Sequence, residues 1–111
     1  MFIAMNRFKV MPGSEEAFEQ LWASRESYLD RMQGFVEFHM LRGPKAEDHT
    51  LYSSHTVWDS KASFEAWTKS EEFRKAHARA GNQQTGPLYL GHPNFEGFEV
   101  IQTQKGTAAA A

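Results

Sequence analysis

The stretch Phe2–Val10, FIAMNRFKV, with MPGSEE running on to Glu16, decides the fold. Every second residue changes side: Phe2, Ala4, Asn6, Phe8 and Val10 share one face, and Ile3, Met5, Arg7 and Lys9 the other. That period of two is a β-strand. Pro12-Gly13 then makes a turn, and Ser14 with Glu15 and Glu16 starts a helix whose acids meet the positive end of the helix dipole. Phe18, Leu21, Trp22 and Leu29 recur at helical spacing, so this helix is expected to end shortly before Gly34.

Outward from that strand–turn–helix unit, Phe35 to Arg42 reads as a second strand closed by Gly43-Pro44, and Thr50 to Trp58 as a third with Leu51, Tyr52, Val57 and Trp58 as its apolar members. Asp59 or Ser60 caps the next helix, which presents Phe64 and Trp67 three apart. Thr68-Lys69-Ser70-Glu71 has the form of a capping box with Thr68 as cap, so a break is predicted there. Beyond it Phe73 and His77 lie four apart on one helical face. Residues 80–94, AGNQQTGPLYLGHPN, read as a long loop, and Phe95 to Thr103 as the last strand. The order β-α-β-β-α-β predicts an α+β, ferredoxin-like domain with an antiparallel sheet over residues 1–104, and a disordered tail at 105–111.

The second strand sets Phe35 and Leu41 against Val36, Phe38 and Met40, so apolar side chains are expected on both faces of the sheet. A large bare apolar face is uncommon on a soluble monomer. A homodimer packed sheet to sheet resolves this, and leaves the space between sheet and helices in each subunit as a pocket.

Composition narrows the function. A chain of 111 residues holds one core. Nine Phe, three Trp and three Tyr suit a bulky core and equally the walls around a flat ligand. The formal charge of −2, without a Lys/Arg block, argues against a nucleic-acid partner. The absence of cysteine removes disulfides, thiolate metal sites and cysteine nucleophiles together. No signal peptide and no stretch of membrane-spanning length are visible, so a soluble cytoplasmic protein is expected. GxSxG, a phosphate-binding glycine loop and paired carboxylates on an apolar face are all missing, which leaves hydrolase, nucleotide-binding and glycosidase readings without support.

Three residues stand out. Asn6 is the polar member of an apolar strand face; taken alone, such an amide is usually bonded to backbone or to a helix end. Trp67 alone is a core anchor, as are Trp22 and Trp58, to which no further role is assigned. His77 alone is a helix-terminal surface imidazole, or else an axial ligand for haem iron. His39, His49, His55 and His92 form no HxxxH pair.

Together these features resemble the IsdG-type haem-degrading monooxygenases, within the antibiotic-biosynthesis-monooxygenase group of dimeric α/β barrels. The resemblance is carried by Met5-Asn6-Arg7-Phe8 with Pro12-Gly13, by Gly34-Phe35, by Thr56-Val57-Trp58 into Phe64-Glu65-Ala66-Trp67, and by Ser70-Glu71-Glu72-Phe73 leading to Ala76-His77. It spans about residues 1–103; the 80–94 segment with His92 matches no family pattern. The resemblance implies a homodimer that takes haem as both substrate and cofactor, with O2 and an external electron donor or reductase. His77 would hold the haem iron axially, Asn6 would donate its amide N–H on the distal side, and Trp67 would press the porphyrin out of plane. The ring would open at a meso carbon, giving a bilin-type product and free iron. Arg7, Arg25 and Arg74 are equal candidates to meet the propionates. The rival readings are a cofactor-free quinol-type monooxygenase of the same fold and a non-catalytic haem carrier.

Overall fold

The computed structural model describes residues 1–25, 27–81 and 88–106, with the backbone alone for 77–81. Four strands, β1 (Phe2–Val10), β2 (Phe35–Lys45), β3 (Thr50–Trp58) and β4 (Tyr89–Glu99), form one antiparallel sheet in the order β2-β3-β1-β4. The helices α1 (Glu15–Ser24), α2 (Lys61–Thr68) and α3 (Glu71–Gly81) complete the ferredoxin-like α+β arrangement. No helix among the described residues is long and apolar enough to cross a membrane.

The alternation in β1 places Phe2, Ala4, Phe8 and Val10 in the core, as its period requires. β3 lies beside it in strict register from Phe2 opposite Trp58 to Val10 opposite Thr50. Two buried clusters form on the helix side of this pair. One gathers Phe8, Val10, Phe18 and Tyr52; the other gathers Phe2, Ala4, Leu29, Trp58, Trp67 and Ala76.

Several sequence expectations need correction. α1 stops at Ser24, well before Gly34, and Arg25 turns into extended backbone. Ser24 Oγ donates back to the Gln20 and Leu21 carbonyls, and Ser27 Oγ accepts the Leu29 N–H. Such local bonds compete with helix continuation, and Leu29 reaches the core from a short 3-10 turn instead. Ser14 makes no side-chain cap; Glu15 accepts the Gly13 N–H in its place. Ser60 caps α2 as expected, through the Ser63 N–H. At the break, Ser70 rather than Thr68 caps α3, accepting the Phe73 N–H, while Thr68 donates to the Glu65 carbonyl.

The segment read as a loop at 80–94 is helix to Gly81 and strand from Tyr89; residues 82–87 lie outside the described residues. β4 accordingly begins six residues earlier than expected and ends at Glu99. Gly91 (φ +64°) and Pro93 look like loop punctuation in sequence. In the fold they sit on an edge strand beside an irregularity in its pairing with β1, where both are tolerated. A further irregularity between Phe35 and Glu37 puts Phe35 on the same face as Phe38 and Met40, opposite to the strict alternation expected for β2. Gly34 enters that strand at φ +89°, and a Cβ there would stand 2.2 Å from Ser63 Oγ, so both conformation and space demand glycine.

Candidate active site

Between the helix-side face of the sheet and the helices lies a chamber of about 620 Å³, inside the range of small-molecule sites (~300–1,000 Å³). Its floor is the strand face carrying Asn6, Ser54 and Thr56 among Ala4, Phe8 and Phe95. Phe64, Trp67, Phe73 and Ala76 of α2 and α3 close one side; Leu21, Trp22 and Arg25 from α1 and its end close another. Among the described lining residues there is no carboxylate. The walls are therefore apolar and flat, with an amide, two hydroxyls of the floor and one cation as the polar groups that matter.

Asn6 is brought to the floor by the alternation of β1. Its backbone N–H donates to Ser54 Oγ at 3.2 Å. Its side-chain amide has no hydrogen-bond partner among the described residues and, half-buried, faces the chamber rather than a backbone or helix-end partner. Trp67 is buried, at 7% exposure, and lines the chamber. Phe73 meets it edge-on at 5.3 Å and Trp58 at 6.3 Å, which holds the indole in place. His77 belongs to α3, one residue after Ala76, which is 1% exposed and lines the chamber. The His77 side chain lies outside the described residues. Trp22 and Trp58 pack in and against the core as expected, but both also line the chamber.

The three candidate arginines separate clearly. Arg7 pairs with Glu96 at 2.7 Å, and Arg74 pairs with Glu71 on the α3 surface. Arg25 lines the chamber, with its guanidinium 4.4 Å from the centre of the Trp22 ring. Its Nε N–H is buried without a partner among the described residues. Burial away from water pulls its pKa below the ordinary arginine value. An arginine stays protonated all the same, so it is a partly desolvated cation with unused hydrogen-bonding capacity at Nε. Nothing in the sequence preferred Arg25; its role follows from where α1 ends.

The far face of the sheet is different. His39 and His55 stand side by side there, 5.7 Å apart, with Glu37 3.1 Å from His39. No group of three potential metal ligands exists among the described residues. Leu41 and Phe98 are exposed on this face, with Ile3 and Met5 between them half-buried.

The family model for antibiotic biosynthesis monooxygenases matches residues 1–79. A heme oxygenase (staphylobilin-producing) of Staphylococcus haemolyticus is 29% identical over 77 residues, covering 69% of this chain and 73% of that protein. A heme-degrading monooxygenase of Shouchella clausii is 38% identical over 72 residues, covering 65% of this chain and 64% of that protein. Among solved structures, a mutant of MhuD with two manganese protoporphyrin IX molecules bound per active site superimposes with a TM-score of 0.75 at 24% identity. That match covers 96% of this chain and 100% of the other, and at such identity it establishes the fold.

Proposed function

The chain belongs to the antibiotic biosynthesis monooxygenase family, and from that premise we propose that its chamber takes haem as substrate and opens the porphyrin at a meso carbon, using O2 and electrons from an external donor. The observation that carries this reading is the unpartnered Asn6 amide on the floor of an aromatic chamber that Trp67 also lines. The names of the two relatives, both haem degraders, support the same class of substrate.

The residues fit such a substrate. Flat aromatic walls suit a porphyrin face, and the chamber is large enough for a rigid planar ligand. Arg25, with its Nε N–H buried and without a partner among the described residues, offers a carboxylate a charge-assisted hydrogen bond. Arg25, rather than Arg7 or Arg74, is therefore the proposed propionate partner. The haem itself supplies the oxidative chemistry, and the protein supplies position and electrostatics.

Each side chain then has a task. Asn6 donates an N–H toward the distal side and fixes the orientation of what binds there. Trp67, held by its contacts with Phe73 and Trp58, would pack against the porphyrin and oppose a flat fit. His77, which follows Ala76 on α3, would be the residue to hold the iron. The apolar walls keep bulk water from the reacting carbon. A bilin-type product and free iron would leave the chamber, in a cytoplasmic setting with an external reductase or electron donor.

The exposed Leu41 and Phe98 on the far sheet face support a homodimer packed through that face; a strictly monomeric sedimentation profile at micromolar concentration would rule it out. Haem titration tests the reading as a whole. A saturable Soret band at one haem or more per chain is expected, altered in position by His77→Ala. No haem-dependent spectrum would instead leave the chamber to a cofactor-free oxygenation.

A further inference from the structure

The chamber floor carries more hydrogen-bonding capacity than one amide. β1 and β3 pair so that Asn6 lies directly opposite Ser54 and Ala4 opposite Thr56, and all four line the chamber. Same-face partners across an antiparallel pair stand ~4.5–5.5 Å apart at Cβ. Ser54 is only 5% exposed, and its Oγ accepts the Asn6 backbone N–H at 3.2 Å. That contact uses one lone pair and fixes where the hydroxyl sits. A hydroxyl also has a proton to give, and among the described residues none accepts it.

Two donors are thus left side by side in an apolar wall, the Asn6 amide and the Ser54 hydroxyl. Ser54 is buried and Asn6 half-buried, so a small polar molecule seated against both can take the hydrogen bonds that neither gives within the described residues. We infer that Ser54 is the second hydrogen-bond donor of the floor, acting with Asn6 on the small molecule held there, either dioxygen or a water in its place. The inference rests on the haem reading. It makes the distal side a two-donor site in which Ser54 sets orientation together with Asn6, and so bears on which meso carbon is attacked.

The test uses carbon monoxide on the reduced, haem-loaded protein as the probe, read by infrared spectroscopy in H2O and D2O. A donor aimed at the bound oxygen atom lowers the C–O stretch and makes it shift on deuteration. Ser54→Ala is expected to raise the stretch and shrink the deuterium shift, with haem affinity unchanged. Ser54→Thr, which keeps the hydroxyl, is expected to stay near wild type. Haem turnover is expected to fall about fivefold in Ser54→Ala, the worth of one neutral hydrogen bond. A C–O stretch that Asn6→Ala moves and Ser54→Ala does not would overturn the inference and leave the haem reading standing. A Thr variant indistinguishable from Ala would overturn it too, by reducing Ser54 to packing. A wild-type chain that forms no haem complex would overturn the haem reading itself, and the inference with it.

Discussion

The same two strands, β1 and β3, build two very different halves of the helix side. At one end, Val10, Tyr52, Phe18 and Phe8 close into a tight cluster, with the Phe18 ring tilted against Tyr52 at 4.9 Å and against Phe8 at 5.2 Å. The polar groups at that end are answered. The Tyr52 hydroxyl donates to Glu19, Arg42 donates to the same carboxylate at 2.7 Å, and Thr50 donates to Glu15 at 2.9 Å. Facing the chamber, polar groups are left unanswered among the described residues: Arg25 Nε and the Trp58 indole N–H are buried without a partner, and the half-buried Asn6 amide makes no hydrogen bond. In the first group the named polar groups are satisfied within the fold. The other violates polar satisfaction, as sites built for a ligand do.

The comparison breaks most easily at the closed end. Phe18→Ala should cost ~3–5 kcal/mol of stability, as aromatic truncations in packed cores do, while haem affinity of the folded fraction stays at the wild-type value. Thermal melts and haem titration separate the two; an equal loss of haem affinity would mean that the halves are one unit. At the open end the pattern should invert. Asn6→Ala should leave the melting temperature within about the ordinary scatter of surface changes, because the half-buried amide makes no hydrogen bond to the described residues. Its turnover should fall by a factor of ~10²–10³, the loss typical of one oriented donor. A wild-type rate would remove Asn6 from the chemistry.

Arg25→Gln should weaken haem binding by a factor on the order of 10–100, from the loss of a charge-assisted contact. It should not do so for haem dimethyl ester, which has no carboxylates. Equal weakening of both ligands would make Arg25 a packing residue over Trp22. The smallest effect belongs to pH. The Tyr52 hydroxyl, and then Arg42, hold the Glu19 carboxyl below its ordinary value of 4.5. A lowered folded-state pKa means that this stabilisation is present above 4.5 and drains away as pH falls through the folded value. Wild type should therefore lose melting temperature in acid more steeply than Glu19→Gln, and parallel pH profiles would show that the cluster contributes nothing.

How far these halves were legible in the sequence depends on what each feature rests on. The alternation of Phe2–Val10 is local, and it foretold both the strand and the odd place of Asn6. The helical spacing of Phe64 and Trp67 is local too and marked an apolar helix face, while the site role proposed for Trp67 comes from the family resemblance. β4 was misread because Gly91 and Pro93 carry loop chemistry, and only the edge position of the strand excuses them. Ser54 and Arg25 could not be singled out. One depends on the β1–β3 register and the other on α1 ending at Ser24, and neither is a property of neighbouring residues. The axial part assigned to His77 comes from the family resemblance and is proposed on that footing.

The central claim is that the open half degrades haem. Its most direct test is an absorbance time course of the haem-loaded protein in air, with ascorbate as reductant and catalase present. The account predicts decay of the Soret band with growth of a bilin-like spectrum, abolished in His77→Ala and strongly slowed in Asn6→Ala. A saturable Soret band that persists unchanged under every reductant tried would contradict it and make the chain a haem carrier.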